Sequence, residues 1–349
     1  MNVNRDVFLF VALAVAWGTA FTAIEVGLES LPPILFAALR FDVAAVVFAA
    51  IVLATGLEWR PRTNADWIAI GVGGGLLVGA HFAFLFLGQS YVSSAVSAIV
   101  MSLIPILTPP LALAVLPRAR VRAPAVFGVL VGLAGIVVIA TAGGSLDGQA
   151  LGIGLLLAAA LSFAIGSVII ERTGGTLPIV SLQAWAMAVG AGLLHALSHV
   201  HPGERLANVS AATPATIGAI AYLGIVSTGG GFLLYFLLLE RVGATEVSLI
   251  NYATPIVAAV VGWAVLGEAI TFATIAGFAL ILVGFALCKI DALWKTAGPV
   301  VGYGPSRPPV SGVVNGDPCA DHGVAVDGDG NVFVASTATE RRCGTPTAD

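Results

Sequence analysis

Apolar stretches long enough to cross a bilayer, about 20 residues each, recur along the first 290 positions of this chain. Buried in lipid, such stretches must satisfy their backbone N–H and C=O groups internally, which makes them helices. Ten are read: 7–28, 33–55, 66–88, 92–115, 124–141, 150–171, 178–199, 214–239, 245–266 and 270–288. Turn or charge signals separate them, among them Leu31-Pro32-Pro33, Pro117-Arg118, Gly143-Gly144, Gly174-Gly175, His201-Pro202-Gly203 and Gly267-Glu268. Only 10% of residues are charged and mean hydropathy is +1.00, against about 25% charged residues in a typical soluble domain. The expected fold class is therefore an all-α integral membrane protein of ten transmembrane helices.

Lysine and arginine orient those spans. Arg5, Arg60, Arg62, Arg118, Arg120, Arg122, Arg172, Arg241, Lys289 and Lys295 fall on one side of a ten-span chain, with only Arg205 opposite and Arg40 within the membrane. That bias marks the cytoplasmic face, so both termini are expected inside, in a multi-pass protein of the plasma membrane. The first segment follows a single early arginine and lacks a small-residue cleavage site, so it is expected to remain as the first helix. Net charge is −4 and the basic residues are scattered, which excludes a nucleic-acid partner. Cys288, Cys319 and Cys343 carry no metal spacing and no disulfide framework.

The chain also repeats itself. Shifted by 146 positions, Trp17 meets Phe163, Glu25 meets Glu171 and Leu31-Pro32 meets Leu177-Pro178. Shifted by 150, Pro105-Ile106 meets Pro255-Ile256, and shifted by 149, Gly128 and Gly135 meet Gly277 and Gly284. Each half then holds five helices, an odd number, so the second half enters the membrane from the other side. The domain reading is a first five-helix repeat over 1–148, an inverted second repeat over 149–290, and a cytoplasmic low-complexity tail over 291–349.

Trp17-Gly18-Thr19-Ala20-Phe21, Leu39-Arg40-Phe41, the proline at 105, and Gly267-Glu268 followed by Gly277 and Gly284 together resemble the drug/metabolite transporter superfamily and its EamA branch of ten-helix exporters. One departure stands out: Pro117-Arg118 occupies the place that Gly267-Glu268 holds in the second half. The resemblance implies a basket of helices around a central cavity and export of small metabolites, commonly amino acids or related compounds. The superfamily also carries nucleotide sugars, drugs and sugar phosphates, so the resemblance does not name the substrate.

Ionisable groups within hydrocarbon cost several kcal/mol and usually face a cavity or a partner. Counting from the Leu31-Pro32-Pro33 turn places Glu25 and Arg40 at comparable depth, within reach of an ion pair. The two either neutralise each other, or Arg40 holds a substrate carboxylate while Glu25 exchanges a proton. Asp42, on another face of the same helix, pairs elsewhere or carries the proton. His81 is a proton site, a substrate donor or a hydrogen-bonded core residue. Trp17, Asn251 and Tyr252 complete the candidate substrate-binding set, with Trp17, Phe21, Trp185, Tyr235 and Tyr252 either stacking on a ligand or packing between helices. Pro105 and Pro255 remove backbone donors and are candidate hinges, or bends that shape the basket. Trp59, Trp67 and Trp294 read as interfacial anchors. The glycine run from Gly71 to Gly79 reads as close helix packing and not as a phosphate loop.

After Lys295 the composition turns to glycine, proline and small polar residues, as in a disordered extension. His322 to Ser336 resembles one strand pair of an NHL-type propeller repeat, and a single fragment does not make a propeller. Asp327, Asp329 and Asn331 lack the glycine and glutamate that a calcium loop needs. Neither cofactor nor metal is expected, the expected partners are a small-molecule substrate and the bilayer, and the oligomeric state is open. With no gathered catalytic groups, the chain reads as a secondary transporter rather than an enzyme. Transport of drug-like or phosphorylated solutes is the alternative, followed by a non-transporting scaffold or sensor.

Overall fold

The computed structural model describes residues 3–115, 123–141, 146–242, 247, 249–288, 324–326 and 332–334, and the chain divides into two units, Met1–Ala297 and Gly298–Asp349. The first unit is built of helices, with no strand among its described residues. In chain order these are α1 (Val3–Leu28), α2 (Pro33–Thr55), α3 (Asn64–Gln89), α4 (Ser94–Met101 continued by Ile104–Val115) and α5 (Ala123–Thr141). Then follow α6 (Leu146–Thr173), α7 (Ile179–Val200), α8 (Pro214–Val242), α9 (Ile250–Leu266) and α10 (Phe272–Cys288). Among the described residues seven helices are long and apolar enough to cross a membrane, and Val126–Ile139, Ile250–Leu266 and Phe272–Leu287 form shorter apolar helices.

Local chemistry sets the helix ends. The Thr63 hydroxyl accepts from Asp66 N at 3.1 Å while the Asp66 carboxylate accepts from Thr63 N at 2.9 Å, a reciprocal cap that starts α3. The Thr213 hydroxyl caps α8 by accepting from Thr216 N, with Pro214 in the first turn where its missing N–H costs nothing. Gly56 closes α2 with φ of 67°, a left-handed conformation that glycine adopts without strain. The loops at Pro117-Arg118 and Gly143-Gly144 lie outside the described residues, as does Trp294.

Two of the central helices widen midway. In α3 the stretch Gly73–Ala80, and in α8 the stretch Tyr222–Gly230, wind as π-helix before the α-helix resumes at His81 and Gly231. A π turn leaves main-chain carbonyls without their usual partner, and side chains from neighbouring helices reach them. Ser162 of α6 donates to Leu76 O at 2.9 Å, and the Trp17 indole of α1 donates to Ser227 O at 3.1 Å. The glycines in these stretches bring helices together: a methyl on Gly74 would stand 2.5 Å from Val189 of α7, and one on Gly224 would stand 2.5 Å from Val43 of α2.

The packing is reciprocal. Helix α2 lies along α7 and α5 along α10; α1 packs on α8 and α9, while α6 packs on α3 and α4. At the α5–α10 seam, Gly135 and Gly277 approach so closely that a methyl on either would meet the other's carbonyl at about 2.5 Å. The core between the helices is filled by large apolar side chains, with Phe36, Phe41, Phe48 and Phe86 fully buried.

Helix four departs from expectation. The span expected over 92–115 puts Pro105 mid-helix, but α4 breaks at Ser102-Leu103 and Pro105 falls in the first turn of its second piece, where the prolines inside the helix are Pro109 and Pro110. A proline in the first turn lacks only an N–H that has no helical partner there, so the restart at Ile104 accommodates Pro105 without loss, whereas Pro109 and Pro110 each remove a bond from the helix interior. Pro255 does lie inside its helix. In the second unit, β1 (Val324–Val326) and β2 (Val332–Val334) form one antiparallel hairpin in which Ala325 faces Phe333 across the ladder. Asp327, Asp329 and Asn331 between them lie outside the described residues.

Candidate functional site

A cavity of about 500 Å³ opens between α1, α2, α3, α4, α6, α8 and α9, a size suited to a small solute. Of the five residues read as substrate-binding, Trp17, Arg40, His81 and Asn251 line it and Tyr252 does not. The Tyr252 ring instead packs on Phe285 of α10 with centroids 4.2 Å apart. Helical phase separates the two: consecutive residues on a helix point about 100° apart, and here Asn251 turns to the cavity while Tyr252 turns to α10.

Arg40 is 5% exposed and sits where α2 crosses the π stretch of α8. Its Nε and Nη2 donate to Thr228 Oγ1 at 3.2 and 3.0 Å, and the Thr228 hydroxyl donates in turn to Leu223 O at 2.7 Å. The hydroxyl proton is thereby committed to the main chain and its lone pairs are aimed at the guanidinium. The rings of Phe82 and Phe41 lie 4.8 and 5.2 Å from the guanidinium carbon. The expected ion pair with Glu25 is not formed, and no carboxylate of a described residue lies within 4 Å of Arg40. Glu25 instead accepts from Gln89 Nε2 at 3.3 Å, and that amide also donates to Phe21 O at 2.6 Å. Counting along two helices placed Glu25 and Arg40 at comparable depth, but a count carries no rotation about the helix axes, and the two side chains find different neighbours.

His81 begins the α-helix that follows the π stretch of α3. Its Nδ1–H donates to Ala159 O of α6 at 2.9 Å, and its ring packs between Phe82 and Phe163. That bond fixes the tautomer and leaves Nε2 as the acceptor of the neutral ring. The cavity's far wall is aromatic, with Trp17 stacked on Tyr235 at 5.6 Å and edge-on to Phe232 at 5.8 Å. Phe21 and Pro105 also line the cavity, whereas Pro255 does not. Asp42 lies away from it and pairs with His195 Nε2 of α7 at 2.7 Å. Trp185 groups with Trp59 and Trp67, donating to Trp59 O at 2.8 Å.

Sequence reasoning missed Glu204 and Asp66, and named Glu268 only within a motif without its partner; the partners of all three lie far along the chain. Glu204 accepts from Ile34 N and Leu35 N at 3.1 and 2.9 Å, holding the start of α2. Asp66 accepts from Thr176 N and Leu177 N at 2.6 and 3.1 Å, just ahead of α7. Glu268 accepts from Ser94 N at 2.8 Å and from Ser94 Oγ at 2.7 Å, holding the start of α4. Each carboxylate meets the positive end of a helix it does not belong to. Thr228 was missed as well; a hydroxyl within an apolar span is the same signal that drew attention to His81. Among the described residues no group of histidine, cysteine, aspartate and glutamate could hold a metal ion.

Known proteins place this arrangement. The sequence profile of the EamA-like transporter family matches residues 5–141 and again residues 150–289. An "Uncharacterized transporter" of Archaeoglobus fulgidus is 32% identical over 280 residues, covering 79% of this chain and 96% of that protein. The "Uncharacterized inner membrane transporter YedA" of Escherichia coli K12 is 29% identical, over 83% of this chain and 92% of its own length. A "Probable amino-acid metabolite efflux pump" of Salmonella typhimurium is 28% identical, over 80% and 93%. A solved crystal structure matches with a TM-score of 0.58 at 26% identity, covering 83% of this chain and 99% of that one. With a profile matched twice along its helical part and apolar helices that suit a bilayer, this membrane-embedded chain belongs to the EamA-like transporter family.

Proposed function

We propose that the chain is a secondary exporter of small metabolites across the plasma membrane, binding its solute in the central cavity and holding the solute's carboxylate with Arg40. The observation that carries this reading is Arg40 itself: a buried cation on the cavity wall, with no carboxylate of a described residue within 4 Å. A charge in that position is costly until an anion joins it. Amino acids and related compounds are the solute class, in keeping with the efflux-pump name carried by the Salmonella relative.

Access alternates by rocking one five-helix repeat, 1–148, against its inverted mate, 149–290, with Pro105 and Pro255 as hinges and both termini on the cytoplasmic side. The double match of the family profile supports two repeats. So do the π stretches at Gly73–Ala80 and Tyr222–Gly230, which fall about 150 positions apart, and the reciprocal packing of α1 on α8 and α6 on α3. Ten spans follow if the three shorter apolar helices also cross; α5, with 19 residues, reaches about 28 Å. Of the candidate coupling groups Glu25, Asp42 and His81, only His81 lines the cavity.

The test is efflux from proteoliposomes loaded with labelled amino acids and other metabolites, with and without a pH gradient. Selective release is the expected result, and Arg40→Ala should abolish release of carboxylate-bearing solutes while the protein still inserts. Normal transport by that variant would make Arg40 structural.

A further inference from the structure

The geometry points to a narrower substrate class: small monocarboxylates with a flat apolar body and no ammonium group, so that free zwitterionic amino acids are poor substrates. This rests on the transport reading above and narrows its solute class, from amino acids and related compounds to related carboxylates without the ammonium, by asking what each part of the cavity could hold.

One wall of the cavity suits an anion. Arg40 spends one N–H from Nε and one from Nη2 on Thr228, and a guanidinium carries five in a planar fork that matches a carboxylate. The remaining donors have no acceptor among the described residues. His81, which also lines the cavity, gains positive charge and never negative charge when it titrates.

None of the cavity's described lining residues answers an ammonium with a full opposite charge. Among its described lining residues there is no aspartate or glutamate. Of the two acids read from the sequence as coupling groups, neither lines the cavity: Glu25 is engaged with Gln89 and Asp42 with His195. Hydroxyls and ring faces hold an ammonium more weakly than a carboxylate does, and Arg40 repels it. A zwitterion entering this space leaves its cationic end desolvated without a counter-ion, whereas a monoanion supplies the counter-ion that Arg40 lacks.

The rest of the lining mixes uncharged polar groups such as Thr108, Asn251 and Thr254 with apolar side chains, and the largest of these are aromatic. Trp17, Phe232 and Tyr235 stand on the α1–α8 side, and Phe82 and Phe163 on the α3–α6 side. Aromatic rings on both sides favour a planar body between them.

The experiment uses the full-length protein in nanodiscs and three probes that share one ring and chain: 3-phenylpropionate, phenylalanine and 2-phenylethylamine. Calorimetric titration should give 3-phenylpropionate a Kd at least about tenfold below that of phenylalanine, with 2-phenylethylamine weakest of the three. Efflux from proteoliposomes should follow the same order, and Arg40→Gln should erase the preference. Phenylalanine or the amine binding as tightly as 3-phenylpropionate would overturn the assignment in the unmodified protein, whatever the variant does. If none of the three binds while the mixed metabolite pool still shows selective efflux, the substrate class is wrong and the transporter reading stands. If folded, inserted protein releases nothing from that pool, the transport reading falls and takes this assignment with it.

Discussion

Replacing Gly224 by alanine adds one methyl group where α8 crosses α2, with no change in charge or polarity. That methyl would stand 2.5 Å from Val43 Cγ1, 2.6 Å from Val43 Cβ and 3.0 Å from Arg40 O. Carbon atoms rest at about 3.5–4.0 Å, and neither Val43 Cβ nor a main-chain oxygen can swing aside, so the helices must part by about 1 Å. Thr228 lies one turn further along α8 and accepts from Arg40 at 3.0 and 3.2 Å. A separation of that size carries both contacts beyond hydrogen-bonding range, which ends at about 3.5 Å. Overpacking of this kind costs about 1–3 kcal/mol, and stranding a hydrogen bond to a charged group costs about 1.5–3 kcal/mol. Thermal unfolding in detergent and efflux from proteoliposomes should therefore both report damage. Gly218→Ala, on the same helix with no atom within 4 Å of the added methyl, is the control and should lie within about 0.5 kcal/mol of the parent. If the two variants unfold and transport alike, the tight α2–α8 crossing is not what positions Arg40.

Glu204→Gln should lower stability by about 1.5–3 kcal/mol, because an amide cannot accept from Ile34 N and Leu35 N with both of its atoms; thermal unfolding reads the loss. Thr228→Val should destabilise by a similar amount and Thr228→Ser should restore the parent value, since only the hydroxyl meets Arg40; a serine variant as weak as the valine variant would assign the loss to the methyl group. Deleting residues 299–349 should leave efflux intact, because the family match ends at residue 289, and a well-expressed truncation that fails to transport would assign the tail a role.

Much of the fold was legible because lipid imposes a coarse rule. Runs of apolar residues of bilayer length announced the helices, and the observed starts at Pro33, Ile179 and Pro214 fall within a residue of those read from the prolines themselves. Arg40, His81 and Asn251 stood out because polar groups are rare at such depth, and all three face the cavity. What a linear reading cannot carry is rotation about the helix axis. Glu25 and Arg40 count to similar depth yet bond to Gln89 and Thr228, and Asn251 and Tyr252 are neighbours that face different ways.

The sequence by itself determined that this chain is helical and membrane-embedded and which few polar residues are placed to matter, since burying apolar surface and satisfying the backbone in lipid depend only on composition and length. The tertiary structure alone decided the partners. Asp66, Glu204 and Glu268 each find a helix start more than 100 positions away, and Arg40 meets a threonine 188 residues along. Such pairings depend on helix phase, on the π stretches that shift it, and on glycines that let backbones touch, none of which a hydropathy pattern records.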